Sequence, residues 1–483
     1  MLPFLWQTID TSPDLLSLHA AQPARYPFLL ESASRDIGQN NERNRYDILF
    51  AFPEEMLVLT SSGHLTMDGH PIQEGDFLHR LDHWLKENRW FGEEQRNVIS
   101  SPSLPFQIPF QGGWFLYLGY ELAGQVEPVL QPRLAGNAAL NAASIEAGFP
   151  IAFASRIPAA IIRDKRAHRT ILVAEPHRAP CLAEMKKDLL SVGSTWTASP
   201  IPNSVTVLRQ PIQEAPSDQF LESVLRIKRY IREGDVFQVN LSRGWWGRLA
   251  EGITSAQLYQ RMRAYNPAPF AGLATWNGFA IISSSPERLV HIHEGIVETR
   301  PIAGTYPRNR DREMDHRLSR ALMAHPKERA EHIMLIDLER NDLGRICASG
   351  TVEVDELMTL ESYAHVHHIV SNIRGRLGSE ATPGQVIRAV FPGGTITGCP
   401  KVRCMEIIAE LEEVIRGPYT GAMGYLNRDG SADLNILIRT LCQQGDRISL
   451  RTGAGIVADS DPERELRETR YKARASLQAL IGS

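Results

Sequence analysis

Apolar residues recur at helical spacing in several stretches of the chain. Leu78, Leu81 and Leu85 share one face of the segment 76–86. Phe220, Val224, Ile227 and Ile231 follow the same period after Asp218, read as a helix cap, and Gly234 ends the run. Helices are also expected over 327–343, 401–411 and 463–480. The last has the capping pair Asp461-Pro462 in front of it, and Pro326 opens the first. Short runs rich in β-branched and aromatic residues read as strands at 46–52, 113–120, 169–174, 236–241, 279–284, 295–301, 422–426, 434–441 and 447–452. Strands and helices are interspersed, and several neighbouring strands are joined by short turns. That pattern predicts an α+β fold of largely antiparallel sheets covered by helices, not a regular βαβ array.

The chain has 483 residues, more than one typical core, and the polar, proline-bearing stretch 191–217 reads as a linker. The predicted organisation is an N-terminal region 1–190 and a catalytic domain 218–483. A net charge of −4, without a long run of one sign, argues against nucleic acid as the main partner. The first residues lack a basic segment followed by an apolar core, so no signal peptide is expected, and no apolar run reaches the roughly 18 residues of a membrane span. The cysteines are Cys181, Cys347, Cys399, Cys404 and Cys442; odd in number and without a C-x-x-C pair, they suggest free thiols in the cytoplasm.

Candidate chemistry concentrates in the second half. Glu465, Glu468 and Lys472 fall at i, i+3 and i+7, and Glu328 and Glu331 at i, i+3, so two helices each present a pair of carboxylates. Such pairs can meet around Mg²⁺, which takes oxygen ligands and keeps several waters, or can be ordinary solvated pairs. Gly393-Gly-Thr-Ile-Thr-Gly-Cys-Pro-Lys401 has Cys399 and Pro400 where a nucleotide loop needs Gly-Lys-Ser/Thr, which leaves a small-anion site or a plain turn. Gly453 and Gly455 after a strand allow close backbone approach or a tight turn. Arg439 is a charge in an apolar run and calls for a carboxylate partner. His365-Val-His-His lacks further ligands at zinc spacing and fits a strand. Glu287, at the end of an apolar strand, suits a general acid if burial raises its pKa, or a structural ion pair.

Phe237-Gln-Val-Asn-Leu-Ser, Asn266-Pro-Ala-Pro-Phe, Ser285-Pro-Glu-Arg, Thr299-Arg-Pro-Ile-Ala-Gly-Thr, Ala330-Glu-His-Ile-Met-Leu-Ile-Asp-Leu-Glu-Arg-Asn-Asp, His368-Ile-Val-Ser, Phe391-Pro-Gly-Gly-Thr-Ile-Thr-Gly-Cys-Pro-Lys, Gly453-Ala-Gly-Ile-Val and Glu468-Thr-Arg-Tyr-Lys-Ala together resemble the chorismate-utilising enzymes. The resemblance runs in order through nearly all of 219–483 and is looser before that. It implies the family's fold, an antiparallel sandwich covered by helices. It also implies Mg²⁺ held directly by Glu331 and Glu468 and through water by Glu328 and Glu465. Lys472, the backbone of Gly453, Ala454 and Gly455, Arg439 and Tyr425 would engage the carboxylates of chorismate. Gly304, Thr305, Thr397 and His368 would line the ring, and Glu287 would protonate the departing C4 hydroxyl.

Within the family, Tyr46-Asp-Ile-Leu-Phe-Ala, Leu118-Gly-Tyr-Glu, Val239-Asn-Leu-Ser and Asn266-Pro-Ala-Pro-Phe resemble component I of aminodeoxychorismate synthase, a route to 4-aminobenzoate and folate. Ala303 stands where that enzyme carries a lysine, as anthranilate synthase does, and Leu29-Leu-Glu-Ser32 resembles the tryptophan-binding stretch of anthranilate synthases. Gln238 stands where isochorismate synthases have a lysine base. No glutaminase motif is present, so the resemblance implies a heterodimer with a glutamine amidotransferase subunit that supplies ammonia. The reading from another class is a non-catalytic subunit that senses tryptophan or binds a partner.

Overall fold

A computed structural model describes residues 4–10, 12–33, 45–73, 75–89, 108–192, 202, 205–309, 311–363 and 366–482. His365 and most of the stretch 193–204 lie outside the described residues.

Among the described residues the strands form two antiparallel sheets of twelve strands each. The first runs Leu5–Ile9, Arg169–Ala174, Ala159–Asp164, Tyr46–Ala51, Phe28–Glu31, Phe270–Trp276, Phe279–Ser285, Thr440–Gln444, Arg447–Ile456, Gln238–Arg248 and Gln213–Glu214, with Gly398–Cys399 also on Gln238–Arg248. The second runs Ile302–Pro307, Val366–Arg376, Ile296–Thr299, Arg288–His293, Ala432–Ile436, Ala422–Asn427, Gly113–Leu118, Ala152–Ile157, Met56–Leu59, Leu65–Met67 and His70–Pro71, with Glu353–Ser362 on Val366–Arg376. Strands from both sides of 191–217 interleave in each sheet; Glu31 lies opposite Ala271 and Gly113 opposite Asn427.

The period of two along each strand separates the core into layers. On Gly113–Leu118, Phe115 and Tyr117 face the first sheet, while Trp114, Leu116 and Leu118 face the helices Phe77–Asn88 and Pro383–Val390. On Ala159–Asp164, Ala160 and Ile162 point into the same inter-sheet layer, and Ala159 and Ile161 point to the opposite helices. Phe28 of the first sheet stacks on Phe115 of the second with centroids 4.1 Å apart, a pairing worth about 1 kcal/mol beyond area burial. The result is an α+β sandwich with helices on both outer faces, as the hydrophobic pattern predicts.

Three boundaries differ from the sequence reading. The run 434–441 is not one strand. Ala432–Ile436 belongs to the second sheet and Thr440–Gln444 to the first, and Arg439, at φ 52°, sits in the crossover. Unbroken apolar character marks a buried strand but not a change of partner sheet. Asp218 does not cap its helix, Ser217–Glu233, which starts behind Pro216; it lies in the first turn, where its charge still suits the helix dipole. The strand expected at 236–241 begins at Gln238 and continues to Arg248, through Trp245 and its neighbours.

Candidate active site

A cleft of about 310 Å³ opens where the two sheets part, walled by the helices Pro326–Gly344 and Pro462–Ile481. Asp461 caps the second helix through Arg464 N–H at 2.8 Å, and Pro462 follows in its first turn. Glu465, Glu468 and Lys472 therefore face the cleft from one side, and Glu328 and Glu331 face it from the other. Helical spacing alone accounts for this convergence.

Each wall has its own electrostatic character. Burial, reinforced by Glu328, raises the pKa of Glu331, and Gln238 Nε2 donates to Glu331 Oε1 at 2.8 Å. Burial also raises Glu465, with Glu468 adding to it. Glu468 is lowered despite its burial, because Lys472 Nζ lies 2.8 Å from its Oε1. Lys472 Nζ also donates to Gly453 O at 3.0 Å. Among the described residues no three His, Cys, Asp or Glu side chains converge as a ready-made metal cage. What the cleft offers is two all-oxygen pairs from opposite walls, which matches a hard cation with few protein ligands and retained waters. Glu328, Glu331, Glu465 and Glu468 thus fit Mg²⁺.

Glu287 lies in the turn after Phe279–Ser285 and is 5% exposed. Its N–H donates to Ser285 Oγ at 3.2 Å, and Ile302 N–H donates to its Oε1 at 3.3 Å. Burial pushes its pKa up to about 7, against the pull of Thr395, Ile302 and Lys472. The carboxyl can therefore hold a proton at neutral pH. Burial, with Arg439 nearby, pushes His368 down to about 3, so its imidazole is neutral. Arg439 opens into the cleft from the crossover, and among the described residues no carboxylate lies within ion-pair distance of it. Its guanidinium is left for a ligand anion.

Gly304, Gly453 and Gly455 line the cleft as expected. Gly304 has φ 63°, and a Cβ there would meet Leu322 Cδ1 at 2.9 Å. Thr305 lies opposite His368 in the strand register. Ala303 lines the cleft at a shift in that register and brings no nucleophile.

Two expected site residues lie elsewhere, and a third can offer only its backbone. Strand alternation turns the Ala454 side chain into a core with Leu241 and Cys404, while the main chain expected to meet the ligand runs between Gly453 and Gly455, which line the cleft. Thr397 is buried in its own turn, with Oγ1 donating to Gly393 O at 2.9 Å; Thr395, two residues earlier, reaches the cleft instead. Tyr425 belongs to a second cavity, of about 480 Å³, packed edge-on against Phe110. Leu30, Glu31 and Ser32 of the Leu-Leu-Glu-Ser stretch also line that second cavity, together with Phe270, Asp433 and Asn435.

Tyr419 takes the place expected of Tyr425 in the cleft. It follows the buried Arg416, whose Nη2 donates to Asn240 O at 2.9 Å and Glu412 Oε1 at 2.7 Å, and whose Nη1 donates to Ile396 O at 3.2 Å. One arginine thereby ties the Asn240 strand, the Thr395 turn and the Tyr419 loop together. The Pro-Tyr pair in a glycine-flanked loop was the available sequence signal for Tyr419. A Cβ at Gly453 would lie 2.6 Å from Asn240 Oδ1, 2.8 Å from Leu241 O and 2.8 Å from the Tyr419 hydroxyl. Because one of these contacts is backbone, Gly453→Ala is expected to raise KM for the substrate at least about tenfold, equivalent to about 1.4 kcal/mol. Steady-state kinetics checks this, with an unchanged melting temperature as the control for folding.

A family model described as chorismate binding enzyme matches residues 26–478. The chain belongs to the chorismate-binding enzymes. This chorismate-binding enzyme is 41% identical over 392 residues to an anthranilate synthase component I-like protein of Synechocystis, across 80% of this chain and 76% of that one. It is 36% identical over 474 residues to anthranilate synthase component 1 of Thermus thermophilus, across 97% and 95% of the two chains. It is also 48% identical over 263 residues to aminodeoxychorismate synthase component 1 of Bacillus subtilis, across 54% and 56%. Its fold superposes on anthranilate synthase component I from Streptococcus pneumoniae with a TM-score of 0.71 at 28% identity, covering 92% and 94%. The menaquinone-specific isochorismate synthase of Escherichia coli shares the fold at a TM-score of 0.70 and 18% identity, covering 99% and 94%. On the cleft wall of this chorismate-binding enzyme, the Gln238 amide already donates to Glu331. Among the described residues no helix is long and apolar enough to cross a membrane.

Proposed function

We propose that this enzyme aminates chorismate at C4 with ammonia, giving 4-amino-4-deoxychorismate for 4-aminobenzoate and folate synthesis in the cytoplasm. The observation that carries the C4 reading is Asn240. It lines the cleft, and its Oδ1 is buried without a hydrogen-bond partner among the described residues. An unpaired acceptor beside Tyr419 and Gly453 can take a hydrogen bond from ammonia and aim its lone pair at the ring.

Arg439 and Lys472 supply the positive charge for the two carboxylates of chorismate, and the bare backbone at Gly453 and Gly455 admits them closely. Glu331 and Glu468 directly, and Glu328 and Glu465 through water, would hold Mg²⁺, which contributes positive charge for the ring carboxylate. Glu287 gives its proton to the C4 hydroxyl, the C4–O bond breaks and water leaves. Ammonia forms the C4–N bond and sheds a proton. Neutral His368 is available as a hydrogen-bond partner at the ring. Ammonia comes from a separate glutamine amidotransferase subunit. The second cavity, lined by Leu30, Glu31 and Ser32 with Glu31 held by Arg263 at 3.3 Å, is the seat of an amino acid such as tryptophan in this reading.

Ala303 favours a second reading, anthranilate formation with release of pyruvate, because no lysine is present to block C2 of the ring covalently. Incubation of the protein with chorismate, Mg²⁺ and ammonium, followed by product identification, separates the two. 4-Amino-4-deoxychorismate is the expected product; anthranilate with pyruvate would overturn the C4 assignment. Asn240→Val is expected to cut C4 amination about tenfold, the loss of one hydrogen bond, and an unchanged C4 yield would remove Asn240 from that role.

A further inference from the structure

Side chains two residues apart on a strand share a face, so Gln238 and Asn240 of Gln238–Arg248 both turn toward the cleft. Asn240 lies opposite Gly455 of the neighbouring strand Arg447–Ile456. The Gln238 side chain leans diagonally over that glycine: a Cβ at Gly455 would collide with Gln238 Nε2 and would sit 3.4 Å from Glu331 Oε1. The amide thus rests on bare backbone and reaches from the sheet to the helix Pro326–Gly344, where its Nε2 donates to Glu331 Oε1 at 2.8 Å. An ionised carboxylate only accepts, so the nitrogen end of the amide must face it. The strand under Gln238 is itself held. Gln238 is buried, its carbonyl accepts from Cys404 Sγ at 3.0 Å, and it pairs with Cys399 along its other edge.

We infer that Gln238 is a positioning residue for the cation: its amide, seated on Gly455, holds one oxygen of Glu331 against the sheet and leaves the other for the metal. A carboxylate anchored in this way has less side-chain freedom to lose when the cation arrives. Hydrogen-bond partners of metal ligands contribute about 10–100-fold to affinity by this means. The contact also gives the two glycines separate tasks. The missing side chain of Gly453 makes room for Asn240 and Tyr419, and that of Gly455 makes room for Gln238. This rests on the proposed role of Glu331 as a Mg²⁺ ligand.

Mn²⁺ titrated into the substrate-free protein, followed by the electron paramagnetic resonance signal of the free ion, reads the site without turnover. Glu468→Ala should remove this binding, which assigns it to the cleft. Gln238→Met keeps the length of the side chain and removes the donor, and it is expected to weaken Mn²⁺ binding about tenfold. Gly455→Ala should match it with little change in melting temperature, because the atom displaced is the far end of a flexible side chain. The double variant should also lose about tenfold, not a hundredfold, because both substitutions break one contact. Wild-type affinity in Gln238→Met, or losses that multiply in the double variant, would overturn the positioning role and leave the metal site standing. Gln238→Met adds no atom to the strand, so it decides alone should Gly455→Ala fail to fold. Absence of Mn²⁺ binding in the wild type, or binding that survives Glu468→Ala, would sink the metal reading itself and the role of Gln238 with it.

Discussion

Glu287→Gln is expected to lower kcat for chorismate turnover by about 10²–10⁴-fold, the usual contribution of a positioned general acid. Glutamine fits the same seat and can keep the contact from Ile302 N–H, so KM should change little. The pH dependence follows from the raised pKa. The acid form is present below about 7 and is lost above it, so wild-type activity should fall on the alkaline side. Stability moves the opposite way in the variant. A carboxyl whose folded pKa is raised favours the fold below its unfolded pKa and loses that contribution as pH rises through the folded value. At pH 8 wild-type Glu287 is therefore a penalty on the order of 3 kcal/mol, which Glu287→Gln relieves. A variant that is inactive and also melts higher at pH 8 than the wild type is the expected pair of results. Undiminished kcat would mean that the proton comes from elsewhere.

Glu331→Ala and Glu468→Ala should each cost about 100-fold or more in turnover at limiting Mg²⁺ and raise the Mg²⁺ concentration needed for half-maximal activity. The two variants leave different debris. Glu468→Ala frees Lys472 from its 2.8 Å partner and leaves a cation that can bind the substrate anion more tightly. Glu331→Ala strands only the Gln238 amide and relieves the crowding with Glu328. A metal role predicts that both raise the Mg²⁺ requirement alike. An ion-pair role predicts an effect from Glu468 alone, with no change in Mg²⁺ dependence, and that outcome would end the metal assignment.

Much of the cleft was legible in the chain because helices report side-chain direction through spacing. Glu328 with Glu331, and Glu465 with Glu468 and Lys472, needed only a cap and a period to be placed on common faces. Strands reported direction too: alternation puts the Ala454 side chain in the core between two glycines that line the cleft. Loops gave no such rule. Tyr425 was expected at the site only from the family resemblance; it lines the second cavity, and the loop before its strand delivers Tyr419 to the cleft. Thr397 and Thr395 differ by a short 3-10 turn whose rotation no pattern of two or 3.6 describes. Arg439 stood out in the chain as a charge among apolar residues, and it lines the cleft. Its place at a left-handed kink between sheets depends on which strands pair over long range, and that is not a local property.

The interleaving of early and late strands bears on how the protein comes into being. Phe28–Glu31 is flanked in its sheet by Tyr46–Ala51 and by Phe270–Trp276, and Gly113–Leu118 waits for Ala422–Asn427. At about 5–20 residues per second, a ribosome needs tens of seconds to supply those partners. Throughout that time the early strands display open edges and a bare aromatic face, the features that invite aggregation. Long-range pairing of this kind also slows folding through the cost of closing large loops. A fragment cut near residue 200 would inherit the same unpaired edges permanently, so the two stretches are pieces of one fold that neither can complete in isolation.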